Sequence, residues 1–117
     1  MRDYISPGTF IAAVGADNPH KQEVDPTLFA EAKVVVDLLD QCESIGDLHH
    51  AIEAGVITRE QVYAELGEVV AGLKEGRTSD DEITIFDSTG MALQDVVAAV
   101  AVYERALMEG VGQRLDF

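Results

Sequence analysis

Three valines in succession, Val34-Val35-Val36 between Lys33 and Asp37, constrain the fold of this chain more than any other stretch. β-Branched side chains lose rotamer freedom against a preceding helical turn and pack well on a pleated surface, so Lys33 to Asp37 reads as a strand. Two further runs join it. Thr9 to Val14 is entered through Pro7-Gly8 and left through Gly15; its apolar and small residues suit a strand covered on both faces, as in a parallel sheet. Ile83-Thr84-Ile85-Phe86 follows the charged loop Lys74 to Glu82 and reads as a third strand.

The segments between these runs have helical character. Asn18-Pro19 marks a turn, and Asp25-Pro26 can open a short helix whose buried stripe is Leu28, Phe29 and Ala32. Leu38 to Leu73 is helical in pattern but interrupted by Gly46, Gly55, Gly67 and Gly72; Thr58-Arg59-Glu60-Gln61 has capping-box form. A long helix is expected from about Met91 to Met108. Its Val96, Val97, Val100, Tyr103 and Leu107 form a wide apolar arc opposite Gln94, Asp95, Arg105 and Glu109. Strands alternating with helical connections imply an α/β fold with parallel strands and right-handed crossovers. Three strands leave two edges open and cannot cover that arc, so the chain reads as part of something larger.

Charge narrows the partners. The 117 residues include 22 Asp plus Glu against 8 Lys plus Arg, a formal net charge of -14. Such a polyanion repels phosphate backbones and anionic membrane surfaces, which excludes nucleic acid and membrane as general partners. The hydrophobic share of 47% is ordinary for a globular chain, so the acid does not mark a disordered tail. One small domain fits this length, which is short for an enzyme gripping a dinucleotide and a substrate together. A single cysteine, Cys42, cannot close an internal disulfide; Met1 to Phe10 has no apolar core of signal-peptide length, and no apolar run approaches a membrane span. A soluble, cytoplasmic protein is expected.

Two places have chemical promise. Val14-Gly15-Ala16-Asp17 leaves a strand at its carboxyl end, where open α/β sheets collect ligands. Its glycine lets a backbone approach a flat ring, Asp17 could act as acid or base, and Lys21 could reach a phosphate or neutralise Asp17. An Asx-stabilised turn is the plain reading of the same residues. In Asp87-Ser88-Thr89-Gly90, Ser88 or Thr89 could cap the long helix, and the hydroxyl with the helix amino terminus could hold an amide or an anion. No metal site is expected. His49 and His50 are adjacent and would point about 100° apart on a helix, nothing completes a set with His20, and Ser79-Asp80-Asp81-Glu82 lacks the alternating ligands of a calcium loop. No glycine fingerprint follows a strand; Gly110-Val111-Gly112 lacks the third glycine.

Taken in order, the pieces resemble the ornithine cyclodeaminase/mu-crystallin family. The resemblance rests on Pro7-Gly8-Thr9, Ala13-Val14-Gly15-Ala16-Asp17-x-Pro19-x-Lys21-Gln22-Glu23, Val35-Val36-Asp37, Gln41-Cys42 and Gly46-Asp47-Leu48. It continues through Glu65-Leu66-Gly67-Glu68-Val69, Gly76-Arg77-x-Ser79-Asp80-x-Glu82-Ile83-Thr84, Phe86-Asp87-Ser88-Thr89-Gly90-x-Ala92-x-Gln94-Asp95 and Tyr103-Glu104-Arg105-Ala106. Such a family implies NAD or NADP and hydride transfer to or from a carbon bearing nitrogen, as in cyclodeaminases, amino-acid dehydrogenases and ketimine reductases. By resemblance Asp17 is the acid/base carboxylate beside the substrate nitrogen, and Val14, Gly15 and Ala16 are the backbone by the nicotinamide. Lys21 and Ser88 match cofactor contacts, with Asp17 also in that shell; Thr89 matches a substrate-pocket position. His20 stands where the family usually has glycine, so a strained His20 or a moved loop is expected.

The resemblance also implies a division. Residues 1–90 correspond to the nicotinamide-side half of a Rossmann-like NAD(P)-binding domain and 91–117 to a carboxy-terminal helix and tail. The expected architecture is therefore a partial Rossmann-like domain: about three parallel strands, flanking helices and the long carboxy-terminal helix. The adenosine-side fingerprint and the substrate-clamping Arg and Lys are not in the sequence. Catalysis is then expected only with a complementing half, a non-catalytic oligomerising remnant or binding module being the alternative. In either case a homo-oligomer or a complementing chain is expected.

Overall fold

The computed structural model describes residues 4–117; the first three residues of the Met1 to Phe10 stretch lie outside it. Four parallel strands form one sheet in the order β1, β4, β2, β3, where β1 is Phe10–Ala13, β2 Lys33–Val36, β3 Ala64–Glu65 and β4 Thr84–Asp87. The helices are α1 (Leu39–Ile45), α2 (Asp47–Glu53), α3 (Leu66–Val70) and α4 (Ala92–Glu109). The three expected strands are present, and β3 is an addition. Its two residues pair with Val35 and Val36 on the outer side of β2, too short a segment to leave a period in the sequence.

Local chemistry explains the connections. Asp25 accepts a bond from Thr27 N at 3.0 Å and Pro26 supplies the first turn, so the segment Pro26–Ala30 forms a 3-10 helix that buries Leu28 and Phe29. The capping-box stretch gives a 3-10 turn, Arg59–Gln61, where the Gln61 amide oxygen accepts from Thr58 N at 2.9 Å. Arg59 then ties this turn to α1 through ion pairs with Asp40 and Glu43.

The core lies on one side of the sheet. Val34, Val36 and Ile85 meet Leu28, Phe29, Leu48, Ala51 and Ile57 there. Full burial of each large side chain is worth about 1.5–3 kcal/mol. Register puts Phe10, Ala12, Val35 and Phe86 on the opposite side. At β1 that side is open: Phe10 is 62% exposed and Ala12 is exposed as well. The expectation of a first strand covered on both faces is therefore not met.

Helix α4 departs from the body. None of its residues is buried, and even Val100 on its apolar arc is 49% exposed. The radius of gyration is 17.4 Å, against about 13 Å for a compact chain of this length. The helix opens at Met91 without a side-chain cap and closes on Gly110 at φ +66. Ser88 and Thr89 are thus not its cap; the Ser88 hydroxyl and the Thr89 N–H are turned to Asp37 instead.

Gly46 is where the core is least forgiving. A Cβ there would lie 2.6 Å from Asp87 Oδ2 and 3.1 Å from the Cys42 Cα, whereas one on Gly67 would meet nothing within 4 Å. Asp87 cannot yield, because Oδ2 accepts from Leu48 N at 2.8 Å inside the core. Gly46→Ala is expected to destabilise the fold by about 1–3 kcal/mol in urea unfolding. Gly67→Ala, on a helix surface, is expected to be neutral or stabilising. Equal midpoints for the two variants would refute this account.

Candidate functional site

Parallel pairing brings the exits of β1, β4 and β2 to one edge of the sheet. The loop residues are stitched to it directly: Ser88 N donates to Ala13 O at 2.9 Å, and Asp37 N donates to Asp87 O at 3.2 Å. The stretch after β1 carries Asp17 and Lys21, that after β4 carries Ser88 and Thr89, and Asp37 follows β2 directly. These are the positions at which open α/β sheets bind ligands.

Asp37, 5% exposed, organises the centre. Its Oδ2 accepts from the Ser88 hydroxyl at 2.9 Å, Thr89 N at 3.1 Å and Gly90 N at 2.9 Å. Its Oδ1 accepts from Leu38 N at 2.8 Å and from the Cys42 thiol at 3.1 Å. Burial works to raise its pKa, but the bonds from Cys42, Leu38, Ser88 and Gly90 outweigh burial and hold it below the ordinary carboxylate range. Cys42 is the reverse case: burial, with Asp87 and Asp37 alongside, pushes the thiol far up, so it is a protonated donor and no nucleophile.

Two more carboxylates lie beneath. Asp47 accepts from Glu23 N at 2.7 Å and Val24 N at 2.9 Å through Oδ1, and Asp87 accepts from Leu48 N through Oδ2. Both are fully buried, and the second oxygen of each has no partner. Burial, aided by the charges of Asp47 and Asp37 and opposed by the α2 N–H groups, pushes Asp87 up to about 6. Asp37, Asp47 and Asp87 were not singled out as site residues in the sequence. The available signal was that both central strands run out in an aspartate.

Asp17 and Lys21 form an exposed ion pair at 2.6 Å. The lysine hydrogen bond and charge hold Asp17 below its ordinary range, so it stands as a carboxylate able to accept a proton or face a cation. Lys21 O bonds the His50 ring at 2.7 Å, fixing the backbone of this loop from α2. The strain expected at His20 does not arise: no described residue other than glycine has positive φ, and His20 N donates to Asn18 Oδ1 at 2.9 Å. Gly15 is closely approached, but by the chain itself, since a Cβ there would lie 2.0 Å from a Glu23 carboxylate oxygen. Val14 is exposed at 63% and Ala16 is buried, so this stretch offers backbone and one apolar side chain. Thr89 Oγ1 is buried without a partner. His49 bonds Glu43 O and pairs with Glu53, apart from His50's contact. Among the described residues no three potential metal-ligating side chains converge, and no helix is long and apolar enough to cross a membrane. An open groove between Tyr103, Leu107 and Leu115 beyond α4 has Arg114 as its one charged lining residue, so the titratable chemistry lies at the sheet.

A partial Rossmann-like α/β domain, its parallel sheet carrying Asp17, Lys21, Ser88 and Thr89 on loops at the carboxyl edge, is the class this geometry defines. The model of the ornithine cyclodeaminase/mu-crystallin family matches residues 1–110, and the chain belongs to that family. It is 52% identical over 115 residues to the alanine dehydrogenase of Archaeoglobus fulgidus, a match covering 98% of this chain and 36% of that protein. The iminosuccinate reductase of Paracoccus denitrificans is 48% identical over 116 residues, with 99% of this chain and 36% of that protein covered. Among solved structures, an archaeal alanine dehydrogenase dimer with bound NAD superposes with a TM-score of 0.84 at 52% identity, covering 98% of this chain and 36% of that one. The Thermococcus litoralis Delta(1)-pyrroline-2-carboxylate reductase in complex with NADH and L-proline gives 0.86 at 37% identity, covering 97% and 35%. This chain spans about a third of the length of these relatives.

Asp87 makes the stability of the site depend on pH with a definite sign. Its folded pKa of about 6 lies above the ordinary 3.8, so its contribution is complete below about pH 4 and is lost as pH rises through 6. Asp37, shifted the other way, contributes fully above the ordinary carboxylate range and loses its contribution only in stronger acid. Urea unfolding from pH 4 to 7 should therefore reveal a loss of about 2–3 kcal/mol from Asp87 that Asp87→Asn removes. Parallel stability curves for the two proteins would contradict the assignment.

Proposed function

We propose that this chain corresponds to the carboxy-terminal portion of its full-length relatives. Residues 1–90 form the nicotinamide-side half of a Rossmann-like NAD(P)-binding domain, and 91–117 form the carboxy-terminal helix and tail. Joined by a complement, it carries out hydride transfer between NAD or NADP and a carbon bearing nitrogen in a small amino or imino acid. What supports this reading is the pairing, on adjacent strand ends, of the Asp17–Lys21 carboxylate–ammonium pair and the ordered loop Ser88 to Gly90. Relatives solved with NAD or NADH support it too.

The residues fit the nicotinamide end of such a cofactor. Gly15 leaves a bare backbone now covered by the side chain of Glu23, an exposed residue whose side chain can swing aside. When bound, the cofactor supplies or accepts the hydride. The chain does the rest: Val14, Gly15 and Ala16 present backbone to the ring, while Lys21 and Ser88 hold the cofactor. Asp17 takes or returns the proton on the substrate nitrogen, and Thr89 occupies the substrate-pocket position. Ionised Asp17 acts first as a base or as a counter-charge to a cationic nitrogen. A cytoplasmic compartment belongs to the same reading, since lone Cys42 requires no oxidising environment.

A second reading, a non-catalytic oligomerising remnant or binding module, is favoured by the exposed apolar arc of α4 and the open edge of β1. Both readings call for a second chain, either another copy or a complement. The archaeal alanine dehydrogenase relative is a dimer.

Fluorescence titration decides between them. The chain alone should bind NADH weakly. Fused behind the remaining two thirds of the archaeal alanine dehydrogenase, it should bind NADH and turn over. In that fusion Asp17→Asn should lower kcat by about 10²–10⁴-fold with NADH affinity little changed. A folded fusion that binds no NADH would leave the remnant reading. For assembly, light scattering of the isolated chain should show self-association at micromolar concentration that Val100→Asp weakens; a strictly monomeric species would rule self-association out.

A further inference from the structure

We propose that His50 and Asp47 are positioning residues: from one face of α2 they grip the backbone of the loop after β1 on either side of Gln22, and so aim Lys21 at Asp17. The loop has little anchorage of its own. Ala16 and Val24 are buried, but no residue between them is, and the side chains of Lys21 and Asp17 are 52% and 59% exposed. An ion pair so placed spends side-chain entropy that its attraction scarcely recovers. The 2.6 Å contact between the two therefore depends on a backbone that presents one group to the other.

Helix α2 supplies that control. Residues three apart on a helix share a face, and Asp47 and His50 use the spacing with opposite polarity. Asp47 Oδ1 accepts from Glu23 N at 2.7 Å and Val24 N at 2.9 Å, while the His50 ring bonds Lys21 O at 2.7 Å. A carbonyl only accepts, so His50 Nε2 carries a proton and donates it. The imidazole donates there whether neutral or protonated, and the grip does not depend on the charge of the ring. Lys21 N donates in turn to Asn18 O at 3.1 Å, so both polar groups of the Lys21 backbone are spoken for. The helix cannot drift with the loop, because Leu48 and Ala51 lie in the core and Leu48 N donates to the buried Asp87 carboxylate. Rigidity thus passes from β4 through α2 to Lys21, and neither His50 nor Asp47 touches a reacting atom.

That the aimed pair serves catalysis rests on the NAD(P) reading above; the grip on it does not, and two measurements keep them apart. On the full chain, NMR follows the Asp17 carboxyl carbon through an acid titration. Lys21 holds its midpoint below the ordinary carboxylate range, and His50→Ala should raise it toward that range. His50→Gln, whose uncharged amide nitrogen reaches the place of Nε2, should restore the low midpoint, which also separates the hydrogen bond from any effect of ring charge. A merely structural role for His50 would lower stability and leave the midpoint where it is. A midpoint unmoved by His50→Ala, or not restored by His50→Gln, would overturn the proposal. In the fusion with the alanine dehydrogenase remainder, Asp17 works as a base when ionised. The acidic limb of the kcat/KM profile should therefore move to higher pH in His50→Ala and return in His50→Gln, with NADH affinity unchanged. A limb that stays in place while the fusion turns over would overturn the positioning role. If the Asp17 midpoint responds in the chain and a folded fusion neither binds NADH nor turns over, the grip stands and the NAD(P) reading falls.

Discussion

Taking a carboxylate out of water costs several kcal/mol unless donors replace the water, and Asp37, Asp47 and Asp87 impose that condition at one end of the sheet. The donors that meet it are mainly backbone N–H groups: those of 88–90 around Asp37, 23–24 around Asp47, and the start of α2 around Asp87. Each acid therefore sets the path of a loop. The hydrophobic core positions β2 and β4, and the acids at their ends convert that rigidity into defined positions for residues that would otherwise sit on free loops. The two unpartnered oxygens, on Asp47 and Asp87, mark where this scheme is not fully satisfied, and at Asp87 burial, with the charges of Asp47 and Asp37, raises the pKa.

Steric preference made much of the sheet legible. β-Branched runs at 34–36 and 83–85 and the Gly-bounded run at 10–13 all became parallel strands, because those preferences are local. β3 was not legible: two residues between a 3-10 turn and α3 owe their strand conformation to the exposed edge of β2. At the site, Asp17 and Lys21 at i and i+4 could be read as a pair, and the structure has them in contact. The role of Asp37 could not be read, since its partners Ser88, Thr89 and Gly90 are about fifty residues away and only the β2–β4 register brings them together. Ser88 illustrates the same limit. A serine near a helix start predicts a cap whose oxygen accepts from a backbone N–H, yet here the hydroxyl donates to the buried Asp37 carboxylate and the helix opens beyond it at Met91.

Basic residues are scarce and their placement is economical. Lys33 reaches Glu82 at 2.8 Å as well as Gly76 O, and Arg77 bonds Glu82 O, so the acidic loop 74–82 is held from inside the sheet. Arg59 does the same for α1. Exposed pairs such as those of Arg59 contribute little stability individually. Their value is in shape.

The separation of α4 from the sheet bears on how the molecule melts. A helix of 18 residues that rests on no core draws its stability from propensity and intrahelical bonds such as Arg105–Glu109, and helices of that length are marginal alone in water. The sheet and its one-sided core unfold as a cooperative unit. In the isolated chain the ellipticity of α4 should therefore decline gradually on warming, ahead of the calorimetric transition of the body, and a single melting temperature would describe neither. Only contact with another surface would fuse the two events into one.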